Sequence, residues 1–290
     1  MPDLPPALEN VAGRLGSPAF SCEHGLIYRG DCLELMEALE DSVVDLTVTS
    51  PPYNIGKEYE TPRELGDYLN WSQDWIAQVH RITRANGAFW LNLGYVAVPG
   101  RGHAVPLPYL VWNRVPFFLL QEVVWNYGAG VSTRAMFAPR NEKFLWFVKD
   151  PDTYTFNLDE VRDPDVKYPY QKKNGKLRCN PNGKNPTDVW QLPKVTSGKD
   201  RASKERTPHP AQFPLAVVDR IVGASSDIGD VVLDPFLGSG SLAEAVIRSG
   251  RFFLGFEIRA DYVEIASTRL QNVYRELEAE RLQRPLFELV

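Results

Sequence analysis

The stretch Val231-Val-Leu-Asp234-Pro-Phe-Leu-Gly238-Ser-Gly240-Ser-Leu-Ala-Glu-Ala245 places a β-branched run before a glycine-rich turn and a helical segment. Val231 to Leu233 reads as a strand and Leu242 to Arg248 as a helix. Between them, Gly238 and Gly240 let the backbone approach a ligand closely, at the sheet edge where open α/β folds bind small molecules. The next strand, Arg251 to Phe256, ends in Glu257, a carboxylate able to accept hydrogen bonds from both hydroxyls of a ribose. Taken singly, a Gly-x-Gly turn serves a structural joint equally well, and an acid at a strand end is usually solvated. Together they favour a nucleoside-type cofactor. There is no G-x-G-x-x-G and no P-loop lysine, so no phosphate cradle is expected. S-adenosylmethionine, with a ribose and an adenine but no phosphate, fits that description.

Outward from this segment, Pro214 to Ala224 reads as a helix and Asp261 to roughly Glu280 as a closing helix. Leu26 to Arg29, Val44 to Thr49, Ala88 to Leu93, Phe118 to Trp125 and Lys143 to Val148 read as strands. Helical spacing covers Asp31 to Leu39 and Tyr68 to Arg84, with Asn86-Gly87 expected to stop the second helix. Strands alternating with helices predict a mostly parallel α/β sheet. Residues 1–22, rich in Pro, Gly and polar residues, read as an extension or loose arm. Residues 150–206 show no sustained period and read as an irregular insertion between residues 23–149 and 207–290.

Val44 to Thr49 ends in Ser50-Pro51-Pro52-Tyr53, where two prolines forbid continuation of the strand. An exocyclic amine on a nucleobase is a poor nucleophile, because its lone pair is delocalised into the ring. Acceptors for its two protons draw the nitrogen toward tetrahedral geometry and aim it for in-line methyl transfer. The Ser50 hydroxyl and the Pro51 carbonyl are such acceptors, and Tyr53 offers a face on which a planar base can stack. No metal is required. A Pro-Pro turn that merely ends a strand has the same local sequence.

Ser50-Pro-Pro-Tyr53, Asp234-Pro-Phe-Leu-Gly238-Ser-Gly240 and His209-Pro-Ala-Gln212-Phe-Pro214 resemble the signature segments of the amino-group DNA methyltransferases. Their order, with the reaction segment far upstream of the cofactor segment, resembles the circularly permuted β class of that family. The resemblance runs from Gly30-Asp31 to about Ala266, interrupted by the insertion. It implies a Rossmann-like methyltransferase sheet with a small inserted recognition region. Asp234, Pro235, Phe236, Gly238, Ser239 and Gly240 would wrap the methionine part of S-adenosylmethionine. Glu257 would hold its ribose, Asp31 its adenine amino group, and His209 to Gln212 would close the pocket. Phe213 departs from the family, which often carries Lys there, and Ser241 replaces the usual Thr. Members acting on cytosine N4 mostly have Ser at the position of Ser50, and those acting on adenine N6 mostly have Asp. The resemblance therefore implies N4-methylcytosine as product, with adenine N6 methylation and an inert DNA-binding regulator as alternatives.

The chain has 290 residues and a net charge of −5, with 43% hydrophobic and 24% charged residues, which excludes wholesale disorder. Residues 162–206 hold 12 Lys/Arg against five acids, so this window carries +7 and the remainder −12. Within it, Lys172, Lys173, Lys176, Arg178, Lys199 and Arg201 are the expected DNA contacts, since this is where the class carries its recognition region. Tyr127 to Thr133 reads either as a loop near the pocket or as an ordinary hairpin turn. Duplex DNA is the implied partner, with a cognate restriction endonuclease and a second copy of the chain as further candidates. No run approaches 18 apolar residues, no secretory signal is evident, and three cysteines without metal-ligand spacing suit a reducing cytoplasm.

Overall fold

The computed structural model describes residues 4–283 apart from Tyr59, Val131, Ser197 and Asp200. The first half comprises α1 (Pro6–Leu15), β1 (Phe20–Cys22), β2 (Gly25–Arg29), α2 (Cys32–Glu37), β3 (Val44–Thr49), α3 (Leu65–Ile82) and β4 (Thr83–Leu93). There follow β5 (Tyr95–Val98), β6 (Gly102–Pro106), α4 (Pro108–Val111), β7 (Phe118–Asn126) and β8 (Asn141–Val148). The remainder is β9 (Lys172–Lys173), β10 (Lys176–Leu177), β11 (Val189–Gln191), α5 (Leu215–Ser225), β12 (Val231–Asp234), α6 (Ser241–Arg248), β13 (Phe252–Glu257) and α7 (Ala260–Gln283).

Nine strands form one sheet in the order β1-β2-β13-β12-β3-β4-β8-β7-β11. From β2 to β4 neighbours run parallel, whereas β8 is antiparallel to both β4 and β7. Alternate residues of each central strand face opposite helical layers. Val44 and Phe89 join the layer with Leu8, Met36, Trp75 and Ile76, while Leu46, Val48 and Trp90 join that of Val218, Ile221, Leu242 and Leu270. This alternation is the period of two that a sheet covered on both faces requires.

The chain crosses from β3 to β4 through α3 in one layer and from β12 to β13 through α6 in the other. The strand order therefore reverses between β3 and β12, and a crevice opens beyond their C-terminal ends. The turns that begin at Ser50 and Pro235 both lie there. The parallel register Val232↔Leu46 and Leu233↔Thr47 aligns them. Two side chains pin this seam: Asp45 accepts from the Val231 N–H at 2.9 Å, and Thr49 donates to Asp234 at 2.7 Å.

Three expectations differ from the fold. The supposed loose arm contains α1, whose Leu8 and Val11, with Leu4 before it, are buried against the α2–α3 layer. A helix of only ten residues is marginal alone, and that apolar stripe is what secures it. Helix α3 stops at Ile82 rather than at Asn86-Gly87, which lies within β4. Lys149 of the neighbouring strand's end sends its ammonium to the carbonyls of His80 (2.9 Å) and Thr83 (2.5 Å), closing the helix from outside. The insertion over 150–206 is not separate from the sheet, because β11 pairs with β7 and buries Trp190 against Trp90.

Candidate functional site

The crevice beyond β3 and β12 is a cleft of about 720 Å³. Of the expected cofactor residues, Asp31, His209, Gln212, Asp234, Pro235, Phe236, Gly238, Ser239 and Glu257 line it, as do Ser50, Pro51, Pro52 and Tyr53. Residues 185 positions apart thus share one cavity.

Gly240 is not on the cleft wall. Its φ of 74° caps α6, and a Cβ there would meet the Cβ of Ala266 at 3.1 Å, so its small size serves the approach of α7. Gly238, at φ 51°, has a different constraint: a Cβ would lie 2.9 Å from the Nε2 of His209. His209 itself is buried under Tyr262, with ring centroids 4.2 Å apart. Its Nδ1 accepts from the Ala211 N–H at 3.2 Å, and burial pulls its pKa down, so the imidazole is neutral and braces the turn. Gln212 is committed locally. Its Oε1 accepts from the Thr207 N–H (2.9 Å) and hydroxyl (3.1 Å), while its Nε2 donates to the Glu205 carbonyl (2.8 Å).

The cofactor wall is acidic and dry. Asp234 Oδ1 accepts from Thr49 and from the Phe236 N–H (3.0 Å), and burial, with Glu257 nearby, pushes its carboxyl up to about 7. Glu257 accepts from the N–H groups of Gly238 and Arg259, each at 2.9 Å, and burial raises its pKa too. Asp31 caps α2 through the Leu33 N–H at 2.8 Å. Each carboxylate is oriented by neutral backbone or hydroxyl donors and keeps further acceptor capacity. Buried acids held in this way call for a ligand with positive charge and hydroxyl donors. The ammonium, sulfonium and ribose of S-adenosylmethionine match that demand. Phe236 is fixed beneath by edge contacts to Trp71 (5.7 Å) and Trp75 (5.1 Å), which makes the floor of the cleft aromatic.

On the other wall stands a group that periodicity and spacing did not reveal. Asn92, buried near the end of β4, donates through Nδ2 to the Lys143 carbonyl at 3.2 Å, which turns its Oδ1 toward the cleft. The Tyr53 hydroxyl donates to that Oδ1 at 2.6 Å and lies 2.9 Å from Ser50 Oγ. With its proton given to Asn92, Tyr53 accepts the Ser50 proton, and the Ser50 oxygen presents lone pairs to the cleft. The Pro52 carbonyl is taken by the Tyr68 hydroxyl at 2.8 Å. Among the described residues nothing donates to the Pro51 carbonyl. Glu142 lies 3.3 Å from the Tyr53 hydroxyl and pairs with Lys194 at 3.2 Å. Lys194 also sits 3.7 Å above the Tyr127 ring, so the insertion sends one cation into the cleft. Only the short Asn-Leu-Gly ending of β4 and the Glu142-Lys143 pair opening β8 mark these positions in sequence.

Lys172, Lys173, Lys176, Arg178, Lys199 and Arg201 are all exposed and lie off the cleft wall. The first three sit on the β9–β10 hairpin, which turns at Asn174-Gly175, and Arg178 continues it by donating its N–H to the Gln171 carbonyl at 2.9 Å. The hairpin presents a basic ribbon with the exposed rings of Tyr168 and Tyr170 just before it.

Residues 44–268 match the DNA methylase family N6_N4_Mtase. The type II methyltransferase M.ScaI of Streptomyces caespitosus is 58% identical over 264 residues, covering 91% of this chain and 87% of that protein. The DNA adenine methyltransferase YhdJ of Escherichia coli is 32% identical, covering 91% and 88%. The solved structure of the cytosine-N4-specific PvuII DNA methyltransferase aligns with a TM-score of 0.68 at 20% identity, over 89% of this chain and 94% of that one. A DNA modification methylase of Thermus thermophilus, solved with S-adenosyl-L-methionine, aligns at 0.60 and 24%, over 85% and 93%. The chain belongs to the family of amino-group DNA methyltransferases. Its sheet is the Rossmann-like sheet of these enzymes. No helix among the described residues is long and apolar enough to cross a membrane.

Proposed function

We propose that this chain transfers the methyl group of S-adenosylmethionine to the exocyclic N4 amine of cytosine within a short sequence of duplex DNA. The orientation of Ser50 carries the reading: Asn92 and Tyr53 absorb its proton, and its lone pairs face the cleft beside the acidic cofactor wall. S-adenosylmethionine, when bound, supplies the electrophilic methyl group. Asp234 and Glu257 hold its charged and hydroxyl groups, and Asp31 receives the adenine amine. Ser50 Oγ and the Pro51 carbonyl accept the two amine protons, which concentrates the nitrogen lone pair on the side of the methyl donor. The ring of Tyr53 supports the base.

A base inside a duplex cannot reach this cleft without leaving the stack. The basic β9–β10 ribbon is the element suited to hold the flanking DNA, and the type II relatives make a companion endonuclease of the same sequence preference the natural partner. Adenine N6 is the second reading, favoured by the adenine-specific relative at 32% identity.

Nucleoside mass spectrometry on duplex DNA treated with the protein and isotopically labelled S-adenosylmethionine separates the two. Label in N4-methylcytosine is expected. Label in N6-methyladenine would move the assignment to the second reading, and no label in either would reject DNA methylation.

A further inference from the structure

The connection between β7 and β8 carries Phe137, which is fully exposed at 101%, next to Met136 at 49%. A large apolar ring held entirely in water is unfavourable unless something covers it in use. This connection is built to hold the ring outward. At its base, Tyr127 donates its N–H to the Arg140 carbonyl at 3.0 Å, and Gly128 donates to Asn126 Oδ1 at 3.2 Å. At its tip, the Thr133 hydroxyl clips the turn, accepting the Met136 N–H at 3.2 Å and donating to the Met136 carbonyl at 2.5 Å. Pro139 stiffens the chain two residues beyond Phe137.

Both ends of the connection belong to the cleft. Tyr127, Pro139 and Asn141 line it, on the side of Ser50, Tyr53 and Asn92. The sequence from Gly128 to Asn141 contains Arg134 and Arg140 and no acid. An apolar tip, a basic stem and a root at the target pocket suit nucleic acid better than a protein surface.

We propose that Phe137 is a wedge: it enters the DNA base stack beside the target and occupies the gap left when the target nucleotide turns into the cleft. The inference rests on the DNA methylation reading above. An aromatic ring can replace the stacking lost by the neighbouring base pairs, whichever bases they are. Phe137 touches neither the cofactor wall nor the amine acceptors. It acts on the position of the base and is a positioning residue.

The test compares Phe137→Ala and Phe137→Trp with the unaltered protein on two duplexes carrying its mapped target site. One is fully paired. In the other, the nucleotide opposite the target base is abasic, so the target is already loosened. On the paired duplex, Phe137→Ala should lower kcat/KM about 10- to 100-fold, the worth of one base–aromatic stack, while Phe137→Trp keeps most of it. On the abasic-opposed duplex the Phe137→Ala defect should shrink to under about 3-fold, with S-adenosylmethionine affinity unchanged throughout. An equal loss on both duplexes would overturn the wedge. So would full activity accompanied by a change from dimer to monomer in sedimentation, which would make Phe137 a contact between copies. If the unaltered protein labels neither duplex, the methylation reading itself fails and the wedge falls with it.

Discussion

Thr49 donates a 2.7 Å hydrogen bond to Asp234, joining the end of β3 to the end of β12 across 185 residues of sequence. That bond aligns the strand leading to the amine acceptors with the strand leading to the cofactor turn. It also leaves Asp234 buried with neutral partners, and the consequences are measurable.

The Asp234 carboxyl is held up to about 7 from an ordinary 3.8. Between those values the folded chain keeps a proton that the unfolded chain has lost, so this group makes stability fall as pH rises from about 4 to 7 and level off above. A cationic ligand prefers the ionised form, so S-adenosylmethionine affinity should rise with pH across 5.5 to 7.5. Asp234→Asn should abolish that rise, weaken binding, and raise the ligand-free melting temperature at pH 8 by a few degrees, on the order of 1–2 kcal/mol. Isothermal titration at several pH values and a thermal melt check both. A pH-independent affinity in the unaltered protein would remove Asp234 from the cofactor wall.

Ser50→Ala should lower kcat about 10²- to 10³-fold, the usual loss for one oriented polar group at a reacting centre, with S-adenosylmethionine affinity unchanged. Asn92→Leu should produce a smaller loss in kcat, because Tyr53 then competes for the proton geometry of Ser50. Turnover unaffected by Ser50→Ala would withdraw its assigned role.

Lys194→Met should be worse than the Lys194→Met, Glu142→Gln pair. The single change leaves the Glu142 carboxylate unpaired 3.3 Å from the Tyr53 hydroxyl and draws the Tyr53 proton away from Asn92. Recovery of kcat by at least about 3-fold in the double variant is the expected sign of coupling. Simple additivity would mean that the ion pair does not influence Tyr53.

Replacing Lys172 and Lys173 by Ala should weaken DNA binding and reduce the slope of log K against log salt by up to about 1.8, two phosphate contacts' worth. Fluorescence anisotropy over a salt series reads this directly. An unchanged slope would take the hairpin off the DNA.

Leu8→Ala should cost about 2–4 kcal/mol of stability, since Leu8 is fully buried between α1 and the sheet layer. A loose arm would show a change below about 0.5 kcal/mol, the range of surface substitutions.

Much of this protein was legible in local sequence because strands, helices and tight turns leave a mark within a few residues. Val44 to Thr49 reads as a buried strand from its own side chains, and Asp234 to Gly240 reads as a strand-to-helix turn from its own glycines. The resemblance of those segments to a known family extended the reading to the cofactor and the target amine. The tertiary structure decided what depends on contacts between distant segments. The end of α3 is set by Lys149, and the place of α1 by a hydrophobic layer assembled from four helices. The orientation of Ser50 is set by Asn92 through the carbonyl of Lys143 on the neighbouring strand. A hydrogen bond between residues forty or more positions apart imposes no period and no spacing on the chain. Such a bond exists only once the sheet has brought its strands side by side.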